Sequence, residues 1–409
     1  MTDTTTIFND IDEIMPGIVA DRRWLHENPE LGFNEEKTAE FVRQRLESLG
    51  VEDIQTGIAK TGVTGLIHGT KGGPGRTVLL RADMDALPLT EENDVDYRSQ
   101  TDGVMHACGH DAHTAMLLAT ARVLMERRDQ FSGTVKLLFQ PSEEANGGGA
   151  KPMIDAGVLE NPHVDAVFGQ HLLSHKPVGT IWVTGGPVQA SADSFRIRVK
   201  GKGGHGAMPH SAVDPIVIAT QIISALQTVV SRRVDPMASV VVSVCTFHAG
   251  TASNIIPDTA EISGTVRTFT PENRDLAQEE LTKLAKGIAA SMGAVAEVTY
   301  ERGYPPTVND EAMAELVWQS AERAVGEENV HQMTPMMPAE DFSYFLLERP
   351  GTYFMTGCGN EEKGITWPHH HPKFDLDEDS MHYGTATMSQ IVLDYLNAEA
   401  LPEAGDSNG

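Results

Sequence analysis

The sequence predicts an α/β protein, a sheet covered by helices, with a smaller α+β domain inserted into it. Three observations carry this. Short apolar runs alternate with helical stretches up to about residue 170, the pattern changes near Pro187 to strand, helix, two strands, helix and strand, and after Tyr304-Pro305-Pro306 the chain returns to helix, strand and helix. Alternating strands and helices read as a sheet covered on its faces, with ligand groups at strand ends and in the following loops. The βαββαβ order of the middle segment is that of a small split βαβ domain.

Taken in order, Ile11, Ile14, Met15, Ile18 and Val19 recur at helical spacing, and Val42, Leu46 and Leu49 repeat the signal before a stop at Gly50. Strands follow at Val63–Ile67 and Thr77–Leu80, then a long helix from about Ala112 to Arg127, and strands at Thr134–Phe139 and Ala166–Gly169. The middle segment reads as a strand (Phe195–Val199), a helix (about Asp214–Ser231), two strands (Ser239–Thr246 and Ala260–Thr268), a helix (Pro271–Met292) and a last strand (Ala296–Tyr300). The C-terminal LPEAGDSNG is polar enough to be expected disordered.

Composition bounds the function. With 409 residues, 40% hydrophobic and 22% charged, the chain holds more than one core, so two domains are expected. No unbroken apolar run reaches the roughly 18 residues that span a bilayer, and the N-terminus is polar and acidic where a secretory signal would be basic and then apolar, so a cytoplasmic protein off the membrane is expected. A net charge of −27 argues against nucleic acid, because holding phosphates needs a basic face. Cys108, Cys245 and Cys358 are too few for a disulfide framework, and the odd count leaves at least one thiol free for chemistry.

The densest cluster is Met105-His106-Ala107-Cys108-Gly109-His110-Asp111-Ala112-His113, which packs imidazoles, a thiol and a carboxylate just ahead of a helix. Histidines do cap and pack, but Cys and His together are the ligands that borderline metals prefer. Gln140-Pro141-Ser142-Glu143-Glu144 places adjacent carboxylates after an apolar strand, where one can ligate a metal and one can carry protons; a solvated surface pair reads the same from sequence. Gly147-Gly148-Gly149 strips side chains from the same loop. His171 ends a strand, and His369-His370-His371-Pro372 lies before the last helix, too far inside the chain for an affinity tag. Gly201-Lys202-Gly203-Gly204-His205-Gly206 matches the dinucleotide fingerprint in letters only, because Met208-Pro209-His210 intervenes before the next helix and no helix N-terminus can meet a pyrophosphate. No phosphate loop, GxSxG elbow or HExxH is present.

These motifs together resemble the amidohydrolase family that includes aminoacylase, hippurate hydrolase, carboxypeptidase G and the plant auxin-conjugate hydrolases, within the broader dinuclear metallopeptidases. The resemblance covers nearly the whole chain. It rests on Arg22-Arg23-Trp24-Leu25-His26 with Pro29-Glu30-Leu31, RADMDALP at 81–88, MHACGHD at 105–111, QPSEE at 140–144, GKGGHGAMPH at 201–210, SNIIPD at 253–258, GTVRTF at 264–269 and HHPKFD at 370–375. It implies a mixed-sheet α/β/α catalytic domain of the zinc-exopeptidase kind over 1–187 and 304–409. Residues 188–303 would form an inserted ferredoxin-like lid that also serves dimerisation or higher homo-oligomers.

The resemblance further implies two divalent metal ions, zinc or manganese first and cobalt or nickel as alternatives. Cys108 would be shared by both, with His110 and His171 at one and Glu144 and His370 at the other; His371 is the fallback for His370. Glu143 would be the general base toward a metal-activated water. Where relatives begin the site with HxD, this chain has Asp83-Met84-Asp85, which leaves Asp85 beside the ligands rather than among them. His205 would stabilise the oxyanion, and Asn254 and Arg267 would hold the substrate's carboxylate. The implied activity is hydrolysis of small N-acyl amino acids (N-acetyl, N-benzoyl or indole-acyl), releasing a carboxylic acid and a free amino acid. An N-acetyl-diaminopimelate deacetylase or a dipeptidase would share the chemistry, and a silent acyl-amino-acid-binding homologue would have lost Glu143 or a ligand, none of which is missing.

Overall fold

The computed structural model describes residues 4–73, 75–145 and 147–400, so the polar C-terminal stretch lies outside the described residues. The chain forms two compact units, Met1–Gly186 with Val308–Thr334 and Asp341–Gly409, and Pro187–Thr307 with Pro335–Glu340.

In the first unit, eight strands form one sheet in the order Glu52–Ile58, Gly62–His68, Thr134–Gln140, Thr77–Asp83, Ala166–Pro177, Gly351–Gly359, Ile181–Val183, Val330–Gln332. The four central strands run parallel, and antiparallel strands join them on both sides. Every residue of Thr77–Asp83 and of Gly351–Gly359 is buried, which is why these strands read as apolar runs without alternation.

Helices supply the covering layers. The Thr4–Glu27 helix buries Ile11, Ile14, Ile18 and Leu25, and the Glu36–Leu49 helix buries Val42 and Leu46 before Gly50 ends it at φ 77°. The helices His110–Glu126 and Ser380–Asn397 are buried over most of their surface and read as apolar nearly all round. Each fully buried Ile, Leu or Met contributes about 1.5–3 kcal/mol of transfer free energy, which conformational entropy largely offsets.

The second unit has the βαββαβ order. Its sheet runs Val240–Ala249, Thr259–Thr268, Asp193–Lys200, Val295–Arg302, all antiparallel. Asp193–Lys200 alternates buried and exposed residue by residue, so one sheet face meets the two helices. Those helices start as their sequences dictate: Asp214 accepts the N–H groups of Ile216 and Val217 ahead of Pro215, and Thr270 accepts that of Asn273 ahead of Pro271.

Among the described residues, Pro215–Arg233 is long and apolar enough to cross a membrane by length and composition. Counting unbroken apolar runs passes over it, because Thr220, Gln221, Ser224, Gln227 and Thr228 interrupt the run. It packs by one face only: Ile218, Ile222, Leu226 and Val229 are buried in one cluster with Phe195, Ile197 and Val199 of the sheet, and most of its other residues are exposed or half-buried.

Candidate metal centre

The cluster at 105–113 is shaped by its backbone. Met105 exchanges both backbone hydrogen bonds with Leu87, and Gly109, at φ 89°, turns the chain into the helix that begins at His110. A Cβ at Gly109 would stand 3.3 Å from Leu172 Cδ1 in a left-handed conformation that other residues rarely adopt. The helix therefore starts two residues earlier than apolar periodicity predicts, and His110 and His113 project from its first turn.

Each imidazole is then sorted by its second nitrogen. His110 Nδ1 lies 2.8 Å from the Asp85 carbonyl; a carbonyl only accepts, so Nδ1 carries hydrogen and in the neutral ring Nε2 is the nitrogen with the lone pair. That Nε2 is buried and has no hydrogen-bond partner. His171 repeats the arrangement, with Nδ1 2.6 Å from the Leu172 carbonyl and Nε2 3.4 Å from Cys108 Sγ. His113 is fully committed, donating from Nδ1 to Asp83 Oδ1 (2.7 Å) and accepting the Leu172 N–H at Nε2 (3.0 Å).

His171 does not end its strand as the sequence suggested. The strand continues to Pro177, with His171 opposite Met355, because neighbouring strands pair with a stretch whose polar residues Ser174, His175 and Lys176 hide it from an apolar count.

The C-terminal run divides in the same way. His370, at φ 63°, donates its backbone N–H to the Ala107 carbonyl and brings Nε2 to 3.0 Å from Glu144 Oε1. His369 accepts the Ser174 N–H at Nε2 (3.2 Å), and His371 stacks on Trp367 with ring centroids 4.2 Å apart.

Among the described residues, five groups of such donors have their atoms within 4.8 Å of one another, and two of them share a thiol: Cys108 with His110 and His171, and Cys108 with Glu144 and His370. Cys108 belongs to both, and Glu143 joins His110 and Glu144 in a third group of the same spread. Asp85 fixes the carboxylate side: its Oδ1 accepts the Glu143 N–H and its Oδ2 the Glu144 N–H, both at 2.9 Å, while its carbonyl holds His110. Asp83, where HxD relatives have histidine, ion-pairs with Arg81 at 2.6 Å and binds His113.

The electrostatics describe a site built for cations. Burial, then the carboxylates of Glu144, Glu143 and Asp83, push the Cys108 thiol well above its ordinary value. Burial opposes charge on His110, but Asp83, Asp85 and Glu144 outweigh it and raise the imidazole to about 10. Burial, then His113 and His369, hold His171 well below its ordinary value. Burial also opposes ionising Glu144, yet His370, His110 and Cys108 hold its carboxyl down. A thiolate and converging carboxylates in so buried a place are stable with divalent ions among them. The Nε2 of His110, buried without a hydrogen bond and 3.6 Å from Asp83 Oδ2, and the sulfur, nitrogen and oxygen donors fit borderline metals.

The other expected residues lie in the second unit. His205 pairs with Ile255 in a two-stranded ribbon, and its Nδ1 accepts the Ala207 N–H at 3.1 Å, so its Nε2 carries a hydrogen. Asn254 adjoins it across the ribbon, accepting the Gly206 N–H at 2.8 Å. Arg267 stands on the Thr259–Thr268 strand opposite Val241 and donates to Thr265 Oγ1 and the Val266 carbonyl. Two supports escaped the sequence reading. Glu35 holds the Ser142 N–H at 2.8 Å, and the Arg22–Asp111 pair behind His110 is fully buried. Arg22 lies in a quoted motif, whereas Glu35 carries no local signal.

The model of the peptidase family M20/M25/M40 matches residues 79–394. The chain is 44% identical to thermostable carboxypeptidase 2 of Saccharolobus solfataricus, covering 95% of this chain and 98% of that one. It is 42% identical to N-acetylcysteine deacetylase of Bacillus subtilis, over 91% of this chain and 95% of that one. It also superposes on the solved structure of a dinuclear metal-binding peptidase of the M20 family from Bacillus subtilis with a TM-score of 0.83 and 37% identity, covering 94% of this chain and 99% of that one.

Proposed function

The chain belongs to the peptidase family M20/M25/M40, and from that membership we propose that it hydrolyses small N-acyl amino acids, of N-acetyl, N-benzoyl or indole-acyl type, to a carboxylic acid and a free amino acid. The observation that carries the reading is the pair of ligand triads sharing Cys108, with Glu143 beside them. Cys108, His110 and His171 would hold one divalent ion and Cys108, Glu144 and His370 the other, zinc or manganese before cobalt or nickel. Bound there, the ions supply Lewis acidity, making water more acidic and polarising the substrate carbonyl.

The chain's own residues do the rest. Glu143 takes the proton of the attacking water and later delivers it to the leaving nitrogen. Its backbone, fixed by Asp85, keeps the carboxylate in place for both transfers. His205 donates from Nε2 to the developing oxyanion. Asn254 and Arg267 hold the substrate's carboxylate, a role that a planar guanidinium fills well. Assembly as a homodimer through the second unit belongs to the same proposal.

The test is amino-acid release from N-acetyl, N-benzoyl and indole-acyl amino acids and from dipeptides, using chelated enzyme reloaded with each metal, beside Glu143→Ala. Turnover that returns with metal, and is lost in Glu143→Ala with metal still bound, is expected. Metal binding without turnover on any substrate would sink the assignment. Likeness to the Saccharolobus carboxypeptidase favours one second reading, peptide-bond hydrolysis by the same groups. Faster release from dipeptides than from acyl amino acids would select it.

A further inference from the structure

The turn that carries Glu143 is held in an unfavourable conformation. Ser142 has φ 57°, a region that residues with a Cβ seldom occupy without support. Three consecutive N–H groups leave this turn for buried carboxylates: those of Glu143 and Glu144 go to Asp85, and that of Ser142 goes to Glu35 Oε1 at 2.8 Å. Thr61 Oγ1 donates to the other Glu35 oxygen at 2.6 Å. Gly32 packs close to Ser142, so that an added Cβ there would stand 2.6 Å from Ser142 Oγ.

Glu35 has no ordinary reason to be there. It occupies the N-cap position of the Glu36–Leu49 helix, yet its side chain makes no capping bond. That task falls to Glu30, whose Oε1 and Oε2 accept the Lys37 and Thr38 N–H groups at 3.2 and 2.9 Å. Glu35 itself is fully buried, and a buried carboxyl is costly unless hydrogen bonds hold it. The bonds its carboxylate makes to Ser142 and Thr61 lead away from its own helix, one to the turn that precedes Glu143 and one to a hydroxyl that braces the carboxylate.

We propose that Glu35 is a positioning residue for the hydrolysis, locking the left-handed Ser142 so that the Glu143 carboxylate stays aimed at the reacting water. The inference rests on the reading of Glu143 as the general base. It touches neither substrate nor ligand, so its loss acts on the rate of the chemical step rather than on binding; displacements of about 1 Å in such a group can cost as much as about a hundredfold.

The test compares Glu35→Met, Glu35→Gln and Thr61→Val with Glu143→Ala on one substrate that the wild-type enzyme turns over, with bound metal counted by elemental analysis and folding checked by circular dichroism. Glu35→Met should lower kcat at least about tenfold, with KM within about twofold and metal content unchanged. Glu35→Gln, which keeps the acceptor for Ser142, should stay within about threefold of wild type, and Thr61→Val should fall between the two. Wild-type kcat in Glu35→Met overturns the proposal, as does a loss carried by KM or by missing metal. If Glu35→Met fails to fold, Thr61→Val decides, and wild-type kcat there overturns it equally. Full activity in Glu143→Ala removes the base assignment itself and the role of Glu35 with it, whereas an inactive Glu143→Ala beside a fully active Glu35→Met removes only the latter.

Discussion

Asp85 shows how much one side chain can organise. Its carboxylate takes the N–H groups of Glu143 and Glu144, and its carbonyl fixes the tautomer of His110. One residue thus sets the orientation of a candidate ligand imidazole and of both acidic groups beside it. Partners of this kind are worth about 10–100-fold in metal affinity. Asp85→Ala is therefore expected to bind metal at least about tenfold more weakly, read by competition with a chelator, and to remain slow even when saturated, because the Glu143 backbone loses its anchor. Undiminished affinity in that variant would show that the backbone holds its shape unaided. The three neighbouring histidines make the complementary point: His110, His113 and His171 have the same chemistry, and only the partner of the second nitrogen leaves the lone pairs of His110 and His171 open while closing that of His113.

Arg22 acts between elements. From the Thr4–Glu27 helix its guanidinium reaches Asp111 in the first turn of the His110–Glu126 helix at 2.9 Å, and Asp375 and Glu378 in the segment after His370 at 3.0 and 3.4 Å. It also lies over the Tyr97 ring at 4.7 Å. The pair with Asp111 is wholly buried, so removing the cation strands a carboxylate in a place water does not reach; such losses cost about 3–5 kcal/mol. His26, 2.7 Å from the same Asp111 oxygen, moderates the loss. Arg22→Met is expected to lower stability to urea by about 3 kcal/mol near neutral pH. The pH dependence follows from Asp111. Burial works to raise its pKa, but Arg22 and then His26 outweigh it and hold the carboxyl well below the usual aspartate range. A depressed carboxyl stabilises the fold above its unfolded-state value and loses that contribution as pH falls through its folded value. The deficit of Arg22→Met should therefore narrow once the pH drops below about 4. A deficit that grew in acid would contradict the pairing.

At the scale of the molecule, each unit has its own core, and the five expected ligands all belong to the first. Metal that binds only the folded state stabilises it by about 4 kcal/mol when present at a thousand times its Kd. Chelation should accordingly speed hydrogen exchange in the His110–Glu126 helix and the central strands and leave the Pro215–Arg233 and Pro271–Ser291 helices unchanged; equal loss in both units would mean that they unfold together. Much of this architecture was legible in the sequence. The βαββαβ segment, the helices that begin near Asp214 and Pro271, and the stop at Gly50 are local, so periodicity and stop signals reveal them, whereas the short or polar strands Glu52–Ile58, Ile181–Val183 and Val330–Gln332 give no such signal. The candidate donor groups were legible too, because thiol, imidazole and carboxylate fall in dense motifs. What the chain alone left open was decided by partners distant in sequence. His171 lies inside its strand because Met355 pairs with it, the Pro215–Arg233 helix buries one face because its own sheet takes it, and His370 rather than His369 or His371 meets Glu144 because the Ala107 carbonyl holds its backbone. Glu35 stands at the N-cap of the Glu36–Leu49 helix, where nothing local marks it, and its carboxylate turns to Ser142. Residue spacing determines which groups the chain can offer; which lone pairs stay open depends on hydrogen bonds from segments that only the folded chain brings near.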